Sequence, residues 1–72
     1  MNYNDYIYEY NILNAKAFYH SKIDDVLTNQ LMNVTDPIER KRIVARRSHH
    51  RRLYRKYHAL AENCWNTMGG RI

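Results

Sequence analysis

The sequence predicts an all-α fold, an antiparallel hairpin of two long helices that forms one small domain over residues 1–72. Three observations predict it: helix-boundary residues around Asp36, a stretch at 38–68 that no Gly or Pro interrupts, and two heptad patterns that match when the chain folds back at 33–36. A chain of this length buries only about 60% of its unfolded surface, so its core is thin. We therefore expect further stability from regular helix packing, self-association or a larger partner.

The second helix has the clearer boundaries. Asp36 is a good N-cap residue, Pro37 suits the first helical position, and Glu39 has the spacing of a capping box. The pair Gly69-Gly70 suits a left-handed C-terminal cap. The sequence therefore predicts one helix of about thirty residues, which is about 45 Å long.

The first half of the chain allows two interpretations. The stretch YIYEYNI alternates and is rich in β-formers, so residues 5–12 could form a strand. A strand here would have no partner strand in the chain, and an isolated strand is unstable, which favours a helix. Ser21 and Asp24 have the spacing of a second, weaker cap. The first helix is therefore expected either to run continuously or to break or kink near Ser21.

Heptad spacing supports the helical interpretation and gives the hairpin a register. The heptad positions of the first half are Tyr3, Tyr6, Tyr10, Leu13, Ala17, His20, Asp24, Leu27, Leu31 and Val34. Those of the second half are Ile43, Arg47, His50, Tyr54, Tyr57, Ala61, Cys64 and Met68. The fold-back brings together Leu27 with Ile43, Leu13 with Tyr57, Tyr10 with Ala61, Tyr6 with Cys64, and Tyr3 with Met68. Apolar positions then meet apolar positions, which is the main evidence for a hairpin.

One layer of this register is polar, and its members are His20, Asp24, Arg47 and His50. Polar layers at heptad positions commonly fix register at some cost in stability, and this is the role we expect. A pH-sensitive interface is the second interpretation. A metal or catalytic site is the third. Arg47 would repel a cation and form an ion pair with Asp24, so we expect no metal ion and no cofactor.

Apolar residues form a second stripe beside the predicted seam. Its members are Ile12, Tyr19, Ile23, Val26, Leu53 and Leu60. A lone hairpin would leave this stripe exposed, and an apolar surface of that extent usually marks an interface. We expect a homodimeric four-helix bundle or a larger protein partner to cover it. A third helix, made by a break at Ser21, is the alternative within one chain.

The segment RKRIVARRSHHRRLYRK, from Arg40 to Lys56, holds nine Lys or Arg residues and no acidic residue. It makes the chain asymmetric, with a net charge of −3 over residues 1–36 and +8 over residues 37–72. On a helical wheel, the basic residues that face away from the seam or flank the outward face are Arg40, Lys41, Arg42, Arg51, Arg52, Arg55 and Lys56. We expect these seven side chains to contact the phosphates of a nucleic acid, or else an acidic partner.

Seven of the nine basic residues are Arg, and guanidinium groups favour bidentate contact with phosphate. This composition resembles the arginine-rich helices that enter RNA grooves, which implies binding to RNA or DNA. The alternative is a protein-interaction module or inhibitor, such as a phage-encoded accessory factor, that docks its basic and apolar faces on a larger, acidic host protein complex. Binding to a membrane surface is disfavoured, because the basic helix lacks a wide Leu, Phe or Trp face and the hairpin needs its apolar residues for packing.

Nothing in the sequence points to catalysis. Cys64 sits at an apolar heptad position beside Trp65, where packing is the expected role. The chain has no Gly-rich phosphate loop or nucleophile elbow, and a short hairpin lacks the concavity of most active sites. We expect a non-enzyme without a small-molecule substrate. The single Cys, the lack of an apolar run of about 20 residues and the polar start predict a cytoplasmic protein.

Overall fold

The computed structural model describes residues 3–69, with the side chain of Tyr3 left out, and contains two α-helices. Helix α1 spans Tyr3–Asn33 and helix α2 spans Pro37–Thr67. They pack against each other along their length as an antiparallel hairpin, which measures 52 × 14 × 14 Å. Its radius of gyration is 16.0 Å, where a compact chain of this length would have about 11 Å. The predicted all-α helical hairpin is confirmed.

Helix α1 runs through Ser21 without interruption. Of the two alternatives for α1, the continuous helix is found, so neither a break near Ser21 nor the third helix that it would have created is present in residues 3–69. Residues 5–12 are helical and form no strand. Leu13 and Ala17 on one side of Ser21 and Leu27 and Leu31 on the other are all buried. A single continuous helix keeps both groups against α2, whereas a break would separate them.

The ends of α2 follow the predicted boundary residues. Asp36 is the N-cap in an extended conformation, and its Oδ1 accepts a hydrogen bond from the Ile38 amide at 3.4 Å. Pro37 occupies the first turn, where its missing N–H costs nothing. At the other end, Met68 is the C-cap and Gly69 has φ 71°, a left-handed conformation that glycine adopts without steric cost. Gly70 lies outside the described residues.

The C-terminal end of α1 is closed by a side chain of α2. Arg40 Nη1 donates hydrogen bonds to the carbonyl oxygens of Leu31 at 2.8 Å and Val34 at 2.7 Å. These carbonyls belong to the last turn of α1 and the loop after it, where the chain has no glycine cap. Arg40 therefore joins the end of α1 to the start of α2 and fixes the tight connection at 34–36.

The core consists of two apolar clusters separated by a polar layer. Near the termini, the buried members are Leu13, Ala61, Cys64 and Met68, with Tyr6, Ile7, Tyr10, Tyr57 and Trp65 packed against them. Near the loop, the buried members are Leu27, Leu31 and Ile43, with Ile23 and Val34 packed against them. Leu27 thus meets Ile43, Leu13 meets Tyr57 and Tyr10 meets Ala61, as the register predicts.

One hydrogen bond confirms a further pair of the predicted register, and one residue departs from it. The Cys64 thiol donates to the carbonyl oxygen of Tyr6 at 3.1 Å, which confirms that pair. The pairing of Tyr3 with Met68 lies outside the described residues, because it depends on the Tyr3 side chain. Tyr54 was predicted in the seam, but it is 37% exposed. Tyr54 instead stacks on His58, one turn further along the exposed side of α2.

Candidate nucleic-acid interface

The outer side of α2 is basic and exposed. Lys41, Arg52 and Arg55 are all exposed. Arg52 follows Lys41 by 11 residues and Arg55 follows it by 14, and both spacings are close to a whole number of helical turns. They therefore share the side that faces away from α1. Across residues 3–69, no carboxylate lies within ion-pair distance of these three side chains. Ser48, Arg51, Arg52 and Arg55 line a shallow groove on this side.

Arg51 differs from the outward residue predicted from the sequence. Its Nε donates to both carboxylate oxygens of Asp24, at 3.1 Å and 3.0 Å. Arg47 Nε approaches the same carboxylate at 3.3 Å, which confirms the predicted pair of Arg47 with Asp24. Arg51 lies close enough to the seam to reach across it, so the expectation that it has no neutralising acid is wrong. Its side chain is still 47% exposed.

Arg40 is also less free than predicted, because its guanidinium is engaged by the two carbonyls at the end of α1. Of the seven predicted contact residues, those with no carboxylate or carbonyl partner in the described part of the chain are Lys41, Arg42, Arg52, Arg55 and Lys56. All five are exposed. The Lys56 ammonium lies 5.7 Å from the ring centre of Tyr57. We call these five residues the basic face.

The polar layer holds a pair of histidines between the helices. The Nδ1 atoms of His20 on α1 and His50 on α2 are 2.9 Å apart. One of the two nitrogens must carry a proton and donate while the other accepts, so this hydrogen bond requires that at least one ring be neutral. The His20 ring also stacks on Tyr57, with ring centres 5.7 Å apart and an interplanar angle of 6°.

The surroundings of His50 favour its neutral form. Burial between the helices lowers the pKa of this imidazole from 6.5, and the nearby His20, His49 and Arg46 lower it further. Asp24 opposes them and raises the pKa. The net effect is a pKa below the usual value, so His50 is neutral at pH 7. The layer therefore combines the ion-paired Asp24 carboxylate with a neutral His50 ring.

In the described part of the chain, the polar layer offers a metal ion few free ligands. Within residues 3–69, no group of three His, Cys, Asp or Glu side chains is placed to hold a metal ion. The Asp24 carboxylate faces two guanidinium groups, which would compete with a cation for its oxygens. Cys64 is buried and donates its proton to a backbone carbonyl.

Neither described helix has an apolar stretch of the length and hydropathy that a membrane span requires.

The apolar stripe divides into exposed and half-buried members. Tyr19 is 61% exposed, Val26 55% and Leu60 41%. The half-buried members are Ile12, Ile23 and Leu53. Ile23 packs against the cluster near the loop and so contributes to the core as well as to the stripe. The stripe remains a predicted interface, with Tyr19, Val26 and Leu60 as its accessible part.

A third surface, which the heptad pattern did not predict, is a groove with aromatic walls. One part is lined by Phe18 and Tyr54, among others, and the other by Tyr10 and Trp65, while His58 lines both. Tyr54 and His58 stack at 5.7 Å between ring centres with an angle of 17°. The groove was not predicted because Tyr54 was assigned to the seam. The spacing of Tyr54 and His58, one helical turn apart, could have indicated it.

The chain matches no family model, and no curated protein or solved structure proved similar to it. Its function is therefore argued from its surfaces alone.

Proposed function

We propose that the chain is a small, basic, non-enzymatic nucleic-acid-binding protein of the cytoplasm. The observation that carries the proposal is the basic face, a group of exposed cations without acidic neighbours on the outer side of α2. An ordinary solvated helix face mixes both signs of charge. Here the chain has no acidic residue between Glu39 and Glu62, a span of about six helical turns.

Repulsion along the basic face supports a polyanionic ligand. Arg52 and Lys56 are like-charged neighbours one turn apart, as are Arg42 and Arg46, and each such pair costs a helix about 0.2–0.5 kcal/mol. Asp24, the carboxylate nearest the middle of α2, forms ion pairs with Arg47 and Arg51 and therefore does not neutralise the residues of the basic face. Phosphates would relieve the repulsion, and guanidinium groups bind them in bidentate geometry.

A binding titration tests the proposal. At about 50 mM salt, we expect at least one of duplex DNA, single-stranded DNA and structured RNA to bind more tightly than about 10⁻⁴ M, the weak limit of non-specific binding. The double variant Arg52→Gln/Arg55→Gln should lose at least about tenfold in affinity, because it removes two phosphate contacts at low salt. Fluorescence anisotropy with labelled oligonucleotides measures both quantities.

The control is Lys16→Gln, compared with the single variant Arg52→Gln, because Lys16 on α1 lies over the Tyr57 ring, whereas the other lysine of α1, Lys22, lies over the Phe18 ring in the aromatic groove. Lys16→Gln should keep its affinity within about threefold, because a cation without a phosphate contact acts only at long range, where salt screens it. If no nucleic acid binds, or if Lys16→Gln weakens binding as much as Arg52→Gln, the basic face is not the site.

A second function is favoured by a separate observation, the accessible stripe of Tyr19, Val26 and Leu60. A protein-interaction module would use this stripe together with the basic face to dock on an acidic protein complex. Capture of partners from native lysate, with and without nuclease, distinguishes the two functions. Nuclease-sensitive partners support nucleic-acid binding. A single nuclease-resistant protein, lost from Val26→Glu, supports the interaction module.

A further inference from the structure

The aromatic groove lies on the side of the hairpin where Phe18 of α1 and Tyr54 of α2 are both exposed, at 63% and 37%. This part of the groove has a volume of about 510 Å³ and continues past His58 to Trp65. The distance from Tyr54 to Trp65 is 11 residues of helix, or about 16 Å. Phe18 and Tyr54 are thus exposed, whereas Tyr10 and Trp65 at the other end of the groove are half-buried and pack against the core.

The groove borders the basic face. Arg55 follows Tyr54 directly and lies one turn from His58, so its guanidinium is placed at the groove's edge. Arg52 and Arg55 also line the shallow basic groove on the outer side of α2. An extended ligand on α2 would thus meet cations along its outer side and aromatic rings along the side towards α1. Polar groups of Asn14 and Ser21 lie among the rings.

We propose that this combined surface binds single-stranded nucleic acid, with phosphates on Arg52 and Arg55 and unpaired bases stacked on Phe18, Tyr54 and His58. The inference rests on the proposed function and specifies its ligand. Single-strand binders combine a basic track with aromatic rings on which successive bases stack. The bases of a duplex are paired inside it and cannot reach rings that lie in a groove between two helices.

The chemistry of the groove fits bases better than a peptide. Rings of Tyr and His accept any base on their faces, and a stack of this kind is sequence-tolerant. Tyr54 and His58 are already stacked on each other, which fixes their orientation before a ligand arrives. An acidic peptide would satisfy the arginines but would leave the exposed rings without a specific contact.

The experiment compares three probes: a short oligo-dT strand, a hairpin duplex of equal charge, and heparin as a polyanion without bases. The strand should bind at least about tenfold more tightly than the duplex. Tyr54→Leu and Phe18→Leu should each weaken strand binding by about five- to 100-fold, the range expected for a lost base stack. Binding of heparin should be unchanged by both. The control Tyr8→Leu, which removes a ring 70% exposed elsewhere on α1, should bind the strand normally.

Trp65, the one tryptophan of the chain, gives a second readout that needs no variant. Because Trp65 lines the far part of the same groove, a strand that runs along the groove should quench its fluorescence and a duplex should not, which keeps the test decisive if Tyr54→Leu fails to fold. Equal affinity for strand and duplex, no effect of the ring substitutions, or no quenching would each overturn the inference. The proposed function survives those results if Arg52→Gln/Arg55→Gln still weakens binding. If no nucleic acid binds at all, both fail.

Discussion

Individual contacts in the polar layer decide how the two helices recognise each other. Asp24 receives Arg47 and Arg51 from successive turns of α2, and His20 shares a hydrogen bond with His50. These contacts favour the observed register, since a shift by one heptad would place the carboxylate near Arg40 and Val44 or near Tyr54 and His58, away from the present pair of guanidinium groups. A partly exposed ion pair contributes about 0.2–1 kcal/mol, so the layer determines specificity more than stability.

The histidine pair makes the stability of the hairpin depend on pH. Because the folded chain holds the pKa of His50 below the 6.5 of a free imidazole, the unfolded chain binds the proton first as the pH falls. The free energy of unfolding is therefore highest above about pH 6.5, and it decreases as the pH drops through the lowered pKa of His50. Denaturant titrations at pH 8, 7, 6 and 5 measure this loss before the carboxylates titrate near pH 4.

Two variants check the assignment. His50→Asn keeps a hydrogen-bonding side chain but has no ionisable ring, so it should show a smaller loss between pH 7 and 5. His58→Asn changes an exposed histidine outside the layer and should keep the wild-type dependence. Stability that is flat over this range in the wild type, or equally steep in His50→Asn, would show that His50 is not responsible.

The composition of the polar layer and its Asp24–Arg47 pair could be predicted from the sequence, but the contact of Arg51 could not. Heptad positions placed His20 opposite His50 and Asp24 near Arg47, because helical periodicity fixes which residues share a level. The contact of Arg51 with Asp24 was not predicted, because whether a long side chain reaches the other helix depends on the distance between the two helices. The same holds for Tyr54, which a strict repeat puts inside and the real helix turns outward.

At the scale of the helices, the boundaries are set by caps that the sequence makes visible. Asp36, Pro37 and Gly69 predicted the limits of α2 because their preferences are local. The end of α1 carries no such residue, and its capping by Arg40 depends on the fold-back itself. Of the two alternatives for α1, the break near Ser21 does not occur, because packing along both halves of α1 outweighs a weak local cap.

The N-cap of α2 gives a direct test at this scale. Asp36→Ala removes the carboxylate that accepts the Ile38 amide, and should lower the free energy of unfolding by about 0.5–2 kcal/mol. Chemical denaturation followed by circular dichroism measures the change. Thr35→Ala, at an exposed loop position next to it, is the control and should stay within about 0.5 kcal/mol of the wild type.

For the whole molecule, the thin core and the exposed stripe together favour self-association. Residues 3–69 contain eight buried apolar residues, seven of them in the two clusters, while Tyr19 and Val26 on one side of α1 remain open to solvent. A second copy seated on this side would bury the stripe and form a four-helix bundle. Because the acidic residues belong mainly to α1, pairing through α1 would leave both basic faces outside.

Sedimentation at micromolar concentration tests the assembly. Val26→Glu should convert a dimer into a monomer of unchanged helix content, because burying a carboxylate without a partner is costly. Met32→Glu, a change of similar kind at a residue 80% exposed on another side of α1, should leave the dimer intact. Ile23 is unsuitable for this purpose, since it also packs on the core. A wild type that sediments as a monomer would contradict the bundle.

The basic face depends on the residues, the helices and the whole fold together. A hairpin in this register places the cations of α2 that lack a carboxylate partner on one outer side. The most direct test is the salt dependence of binding to a single-stranded oligonucleotide. Five phosphate contacts predict that log affinity falls with log salt at a slope of about −3.5, and Arg52→Gln/Arg55→Gln should reduce the slope to about −2. A slope near zero, or the same slope in both proteins, would contradict the claim that the basic face binds phosphates.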